Sequence, residues 1–284
     1  MRKILVTGGN GQLATCIKDM AIGLNGYGFI YVDLDELDIT KQAEVNSFFE
    51  SENISFCVNC AAYTAVDKAE TEREIAVSVN ETGAQNLAKA CNKYDAGLIQ
   101  ISTDFVFDGK KSSPYIEEDS TKPLGVYGLT KLKGEQEVVR FLPNSFIIRT
   151  SWLYSEHGQN FLKTMLRLGS ERDNLNVVAD QIGTPTYAGD LAQIILKIIT
   201  EDRTEYGIYH YSNEGVASWY DFTKAIFRLE QIDCRVNPIR TDAYPTPAKR
   251  PAFSVMDKAK IKKEMDIEIP HWRDSLMKCL QKAR

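Results

Sequence analysis

The chain has 284 residues and a formal net charge of −5, with 43% hydrophobic and 26% charged residues. That length can bury a full α/β core and still carry a smaller lobe. The mild acidity, without any block of like charges, argues against a nucleic-acid binder, and no apolar run approaches the ~20 residues of a membrane span. The apolar run at 3–6 meets glycine too soon for a signal peptide, so a cytoplasmic protein is expected.

To about residue 150, strand-like runs alternate with helix-like segments, the pattern of a parallel sheet with right-handed crossovers. A first strand over 3–7 leads into Thr7-Gly8-Gly9-Asn10-Gly11-Gln12-Leu13-Ala14 and a helix over 11–24. The stretch reads as Gly9-x-Gly11-x-x-Ala14 or Gly8-x-x-Gly11-x-x-Ala14. Glycine permits the tight turn and the close approach of backbone to a pyrophosphate, and the helix N-terminus offers N–H groups to it. Strand before and helix after is the context a dinucleotide loop requires.

A second strand over 28–32 ends at Asp33, about 22 residues beyond Gly11, where an acid binds the ribose 2′-hydroxyl. Asp35, Glu36 and Asp38 follow, with no Lys or Arg before Lys41. A 2′-phosphate would be repelled there, so NADH is expected to suit the site better than NADPH. A helix over 41–52 and a strand over 55–59 come next. Cys57-Val58-Asn59-Cys60 is formally a C-x-x-C. Residues three apart on a strand face opposite sides, and no second pair completes a zinc set, so the six cysteines read as structural thiols.

Ile75, Val79, Leu87, Ala90 and Cys91 recur near helical spacing and predict a helix over 75–94. The strand over 98–102 ends at Ser102-Thr103-Asp104, where a doubly wound sheet places its chemistry. The Thr103 hydroxyl suits a substrate carbonyl; Ser102 points to the other face. A helix over 126–141 then presents Tyr127 and Lys131 on one side. An ammonium beside a phenol lowers its pKa from about 10 toward the working range, making Tyr127 a proton donor to a developing alkoxide. The same spacing recurs at Tyr220 and Lys224, but that pair follows no strand end and is set aside.

Beyond a fifth strand over 145–150 the pattern loosens into a strand over 175–178, a helix over 190–200 and a last strand over 207–211. The expected fold is a doubly wound Rossmann domain from 1–150 and 188–212, with a smaller, discontinuous substrate lobe from 151–187 and 213–284. In that lobe Lys249-Arg250 is the adjacent basic pair of a Pro-rich segment, and a forked guanidinium suits a diphosphate. Trp152 offers an apolar face to a sugar ring. His157, His210 and His271 lack metal spacing, and no metal is expected.

These motifs resemble the extended short-chain dehydrogenases/reductases and, within them, the dTDP-4-dehydrorhamnose reductase family. The resemblance is carried by the glycine loop, Asp38-Ile39-Thr40 and the most specific block, Asn59-Cys60-Ala61-Ala62-Tyr63-Thr64-Ala65-Val66-Asp67-Lys68-Ala69-Glu70. It continues through residues 102–109, 127–135, 149–154 and 180–186 to Arg250-Pro251, and so spans most of the chain. It implies NAD(P)H-dependent reduction of the 4-keto group of a dTDP-linked 4-keto-6-deoxyhexose, dTDP-4-dehydro-β-L-rhamnose. It further implies that Tyr127 donates the proton, that Lys131 binds the nicotinamide ribose, and that Thr103 touches the sugar carbonyl. Gly11, Gln12, Leu13, Asp33, Asp38, Ile39, Ala61, Ala62 and Tyr63 would line the cofactor, with Asp104 and Trp152 on the sugar nucleotide. Dehydratase relatives carry a Glu after the Thr-Asp pair; here Phe105 replaces it, so the site lacks the extra acid for elimination. Thr15 and Cys16 stand where some relatives have an acid that helps hold Mg²⁺ between subunits.

Two other readings share the cofactor loop: a nucleotide-sugar 4-epimerase that retains NAD, and a non-catalytic NADP-binding regulatory subunit. The complete Thr103, Tyr127 and Lys131 set favours the reductase. A homodimer is compatible with the resemblance.

Overall fold

The computed structural model describes residues 1–283. Six strands, β1 (Arg2–Thr7), β2 (Tyr27–Val32), β3 (Ile54–Asn59), β4 (Gly97–Thr103), β5 (Phe146–Thr150) and β6 (Gly207–His210), form one sheet in the order β6-β5-β4-β3-β1-β2. Every pairing in it is parallel. From β1 the chain steps to β2 on one side, then crosses back to β3 on the other. The order therefore reverses between β1 and β3, and a crevice opens at the carboxyl ends of those two strands.

Both faces of the sheet are covered, which is why its strands read as apolar runs instead of alternating ones. On one face Ile4, Val6, Val58 and Ile99 meet Ile17, Leu191 and Ile195 from the helices Gln12–Ala21 and Ala188–Thr200. On the other, Leu5, Cys57, Leu98 and Ile147 meet Phe49, Leu87 and Val138 from Gln42–Glu52, Ala84–Lys93 and Val126–Phe141. Cys57 lies in the second of these cores while Cys60 packs against the first, so their side chains are divided by the sheet.

A separate core gathers Tyr154, Leu162, Leu175, Phe222, Val236, Trp272 and Leu276. Its strands Asn174–Val178 and Arg235–Ile239 pair in parallel, joining chain from either side of Ala188–Thr200. The helix Ala259–Met265 departs from this grouping: Ile261 and Met265 are buried in the sheet's own core.

The helix expected over 75–94 is interrupted. Arg73–Val77 is α-helical, Ser78–Gly83 is a π-helix, and Ala84–Lys93 resumes the α form. Ile75, expected in the core, is 52% exposed. The extra residue of the π turn shifts the helical phase between Ile75 and Leu87, so the two ends do not share one face.

Candidate active site

The glycine loop lies in the crevice, wedged between the ends of β2 and β3. Gly8 has φ +63°, and a Cβ there would come within 2.9 Å of the Ala61 backbone. At Gly9 a Cβ would stand 3.0 Å from Val32 N. Gly11 N–H donates to the Gly8 carbonyl at 2.8 Å and opens the helix Gln12–Ala21. No side chain caps that helix and its first turn holds no acid, leaving its N–H groups and positive dipole end for an anion. The cradle therefore fits a dinucleotide pyrophosphate.

The other residues expected to line the cofactor differ in their freedom. The Gln12 amide is engaged, donating to the Leu153 carbonyl at 3.1 Å and accepting from Ser155 and Asn160 at 3.3 Å each. Leu13 and Ile39 are buried in the cores, so any cofactor contact there is through backbone. Asp33 accepts from Asn10 N–H at 3.0 Å and Leu34 N–H at 2.9 Å, which sets its carboxylate against the loop. Asp38 accepts from the Thr40 hydroxyl and N–H, which holds its carboxyl below the usual range.

Sequence reasoning missed Asn80. It is buried in the π-helix, accepts from Tyr63 N–H at 2.9 Å, and donates to the Tyr63 carbonyl and to Thr130 Oγ1 at 3.1 Å. It thus fastens the Ala61-Ala62-Tyr63 turn to the helix that carries Tyr127 and Lys131. The only sequence signal is its polarity amid an apolar-periodic stretch.

That helix seats closely on its neighbours because two of its residues are glycines. A Cβ at Gly128 would come 2.2 Å from the Phe105 carbonyl oxygen, and one at Gly134 would come 2.1 Å from that of Asn80. The seating brings Tyr127 to the end of β4, beside the Thr103 hydroxyl and edge-on to Phe105 at 5.6 Å. Thr103 Oγ1 accepts from Phe105 N–H at 3.2 Å, which fixes its position past the strand end.

The electrostatics differ from expectation. Burial pushes the Tyr127 phenol up to about 12, partly offset by the Thr103 hydroxyl, so it holds its proton firmly at neutral pH. Lys131, expected to pull it down, donates instead to the Ile101 carbonyl at 2.6 Å. Burial lowers Lys131 itself to about 8, against the charge of Glu135. Asp104 is buried beside Thr103 and Ser254; desolvation raises it to about 6, and its Oδ2 has no hydrogen-bond partner.

Of the predicted substrate residues, Thr103 and Asp104 converge with Tyr127, while Arg250 and Trp152 are engaged elsewhere. Arg250 forks onto Asp67 and also donates to Thr246 Oγ1 at 2.6 Å and to the Ala248 carbonyl at 3.1 Å. Its guanidinium is therefore not free for a diphosphate in this state. Lys249 is exposed. Trp152, at φ +47°, stacks on Trp219 at 3.5 Å, so one indole face is spent within the protein. Tyr220 packs against the separate core of Tyr154, Phe222 and Trp272, and Lys224 lines a cavity shared with no predicted site residue. His210 is buried and pushed down to about 3 by desolvation and Arg149, and His271 caps the helix Trp272–Lys282.

Comparison with known proteins places the whole chain in one family. The RmlD substrate binding domain family matches residues 1–284. A dTDP-4-dehydrorhamnose reductase of Aggregatibacter actinomycetemcomitans is 44% identical over 287 residues, covering 97% of each chain. A crystal structure of a dTDP-4-dehydrorhamnose reductase from Clostridium acetobutylicum superposes with a TM-score of 0.95 at 44% identity, covering 99% of both chains. One from Bacillus anthracis, in complex with NADP, gives 0.95 at 38% identity, covering 99% of this chain and 100% of that one. The sheet with its crevice, the Thr103–Tyr127 pair and full-length similarity converge: the chain belongs to the RmlD family of dTDP-4-dehydrorhamnose reductases.

Proposed function

We propose that this enzyme reduces the C4 ketone of dTDP-4-dehydro-β-L-rhamnose with NAD(P)H, yielding dTDP-L-rhamnose for cell-surface polysaccharide in the cytoplasm. The observation that carries the reading is a protonated Tyr127 within reach of Thr103 at the carboxyl end of β4. Thr103 orients the carbonyl, and Tyr127 passes its proton to O4 as negative charge develops there. The phenol's high pKa keeps that proton in place until the alkoxide demands it. Asp104, with one oxygen unpaired, accepts from a sugar hydroxyl. Phe105, apolar and set against Tyr127, supplies no second acid, so elimination is not served.

The nicotinamide cofactor, when bound, supplies the hydride. Gly8, Gly11 and the N–H groups of Gln12 and Leu13 hold its pyrophosphate, Asp33 the adenosine ribose, and Asp38, Ile39, Ala61, Ala62 and Tyr63 its surroundings. Lys131 serves the nicotinamide ribose once released from the Ile101 carbonyl. The acids at 33, 35, 36 and 38 favour NADH over NADPH. Residues 1–150 and 188–212, with the helix Ala259–Met265 packed on them, act as the cofactor domain, and the rest of 151–187 and 213–284 as the substrate lobe.

The test follows NADH absorbance with enzymatically made dTDP-4-keto-6-deoxyglucose and the epimerase of the preceding step. Consumption of NADH with formation of dTDP-L-rhamnose is expected. Turnover without added NADH, by protein that retains NAD, would identify an epimerase instead.

A further inference from the structure

Cys16 lies on the helix Gln12–Ala21, and Glu156 and His157 come from the segment that follows Tyr154. The Cys16 Sγ, a Glu156 carboxylate oxygen and a His157 ring nitrogen all lie within 4.8 Å of one another. Cys279, fully buried on the helix Trp272–Lys282, places its Sγ 3.6 Å from Glu156 Oε2. His157 Nε2 is 2.8 Å from Asp19 Oδ2, one turn along from Cys16. A carboxylate on one ring nitrogen fixes the tautomer that leaves the other free to accept, the usual support of a metal-bound imidazole. Lys282, 3.7 Å from Glu156, is half-exposed and can swing into solvent.

We propose that Cys16, Glu156 and His157, with Cys279 as the closing donor, bind a thiophilic divalent cation, Zn²⁺ by the chemistry of the set. Thiolate, imidazole and carboxylate together suit Zn²⁺, whereas Mg²⁺ demands oxygen ligands. Binding releases the Cys16 thiol proton to solvent, and its energy offsets the buried thiolate's desolvation. This departs from the sequence-based expectation of no metal, because Glu156, His157 and Cys279 are brought to Cys16 only by the fold. The role is structural. The segment from Leu153 to Asn160 already hangs from Gln12, and the cation ties it to the same helix at a second point.

Chelator-treated, folded protein is titrated with Co²⁺ and then Zn²⁺. A thiolate-to-cobalt charge-transfer band is expected, saturating at about one equivalent and abolished by Zn²⁺. Cys16→Ser removes the band, His157→Gln weakens Zn²⁺ tenfold or more, and Asp19→Asn weakens it by roughly tenfold. Cys234→Ser, outside the cluster, changes nothing. Absence of saturable Co²⁺ and Zn²⁺ binding to wild-type protein with a native circular-dichroism spectrum overturns the proposal. So does a band that survives in both Cys16→Ser and His157→Gln.

Discussion

Arg250 holds Asp67 with both terminal nitrogens, Nη1 to Oδ1 at 3.0 Å and Nη2 to Oδ2 at 2.7 Å, across 183 residues of sequence. The pair fastens the Pro-rich segment onto the block that follows β3, and it holds the Asp67 carboxyl below its ordinary range. The next residue, Pro251, abuts Gly109, where a Cβ would come 2.6 Å from it, and Ser254, three residues on, is buried beside Asp104. Arg250 thus anchors a strip that passes close to the carboxyl end of β4.

Arg250→Ala should raise KM for the nucleotide sugar severalfold while leaving Kd for NADH unchanged. Asp67→Asn should do the same, since either change frees the strip. Both groups are partly solvated, so the stability cost is expected at about 1 kcal/mol or less. If Arg250→Ala raises KM while Asp67→Asn does not, the guanidinium acts on substrate and not on Asp67.

Tyr127→Phe should lower turnover by about 10² to 10⁴ with cofactor affinity little changed, the range for a positioned proton donor. Tyr220→Phe should leave turnover as it was. Steady-state kinetics of the two variants settle the choice between the Tyr-x-x-x-Lys pairs.

Asp33→Ala should lower the ratio of kcat/KM for NADH to that for NADPH, because the acid both binds a 2′-hydroxyl and repels a 2′-phosphate. Its bond to Asn10 N–H predicts a second effect, weaker binding of both cofactors through a loosened loop. An unchanged ratio would mean that Asp33 serves only the loop.

Gly128→Ala sets a methyl group 2.2 Å from the Phe105 carbonyl oxygen, so the helix must lift. A loss of about 1–3 kcal/mol is the ordinary cost of overpacking. Because Tyr127 is the adjacent residue, kcat should fall as well. Denaturant melts and initial rates on the same preparation check both.

Asp104, raised to about 6 by burial, binds more protons in the folded protein than in the unfolded chain between about pH 4 and that value. Stability should therefore fall as pH rises across this window, by at most roughly 3 kcal/mol. Asp104→Asn should flatten the profile. Denaturation midpoints at several pH values across that range measure the slope, and parallel profiles for both proteins would contradict it.

The sheet was readable because strands buried on both faces leave compact apolar runs, and β1 through β5 fall within about two residues of expectation. The helix over 126–141 was equally plain, bounded by Gly125 and Pro143. Three features left no such trace. A π turn adds one residue without altering composition, so Asn80 looked like any polar residue in a helix. Arg250 was legible as a fork but not as one already filled, since its partner lies far away in sequence. Lys131 lies on the expected helix, yet its bond to a backbone carbonyl depends on how deeply that helix seats, which Gly128 and Gly134 decide.

The order in which the sheet is completed has a consequence for how the molecule is made. β6, its edge strand, is translated only after Phe161–Glu171 and Asn174–Val178, which belong to the other core. Those elements must wait in turn for Trp219–Leu229 and Trp272–Lys282, near the chain's end. Neither core can be finished on the ribosome while the other is unstarted. Melting should accordingly appear as one cooperative transition, and a chain stopped near residue 212 should be a substrate for chaperones and proteases instead of a stable nucleotide-binding fragment.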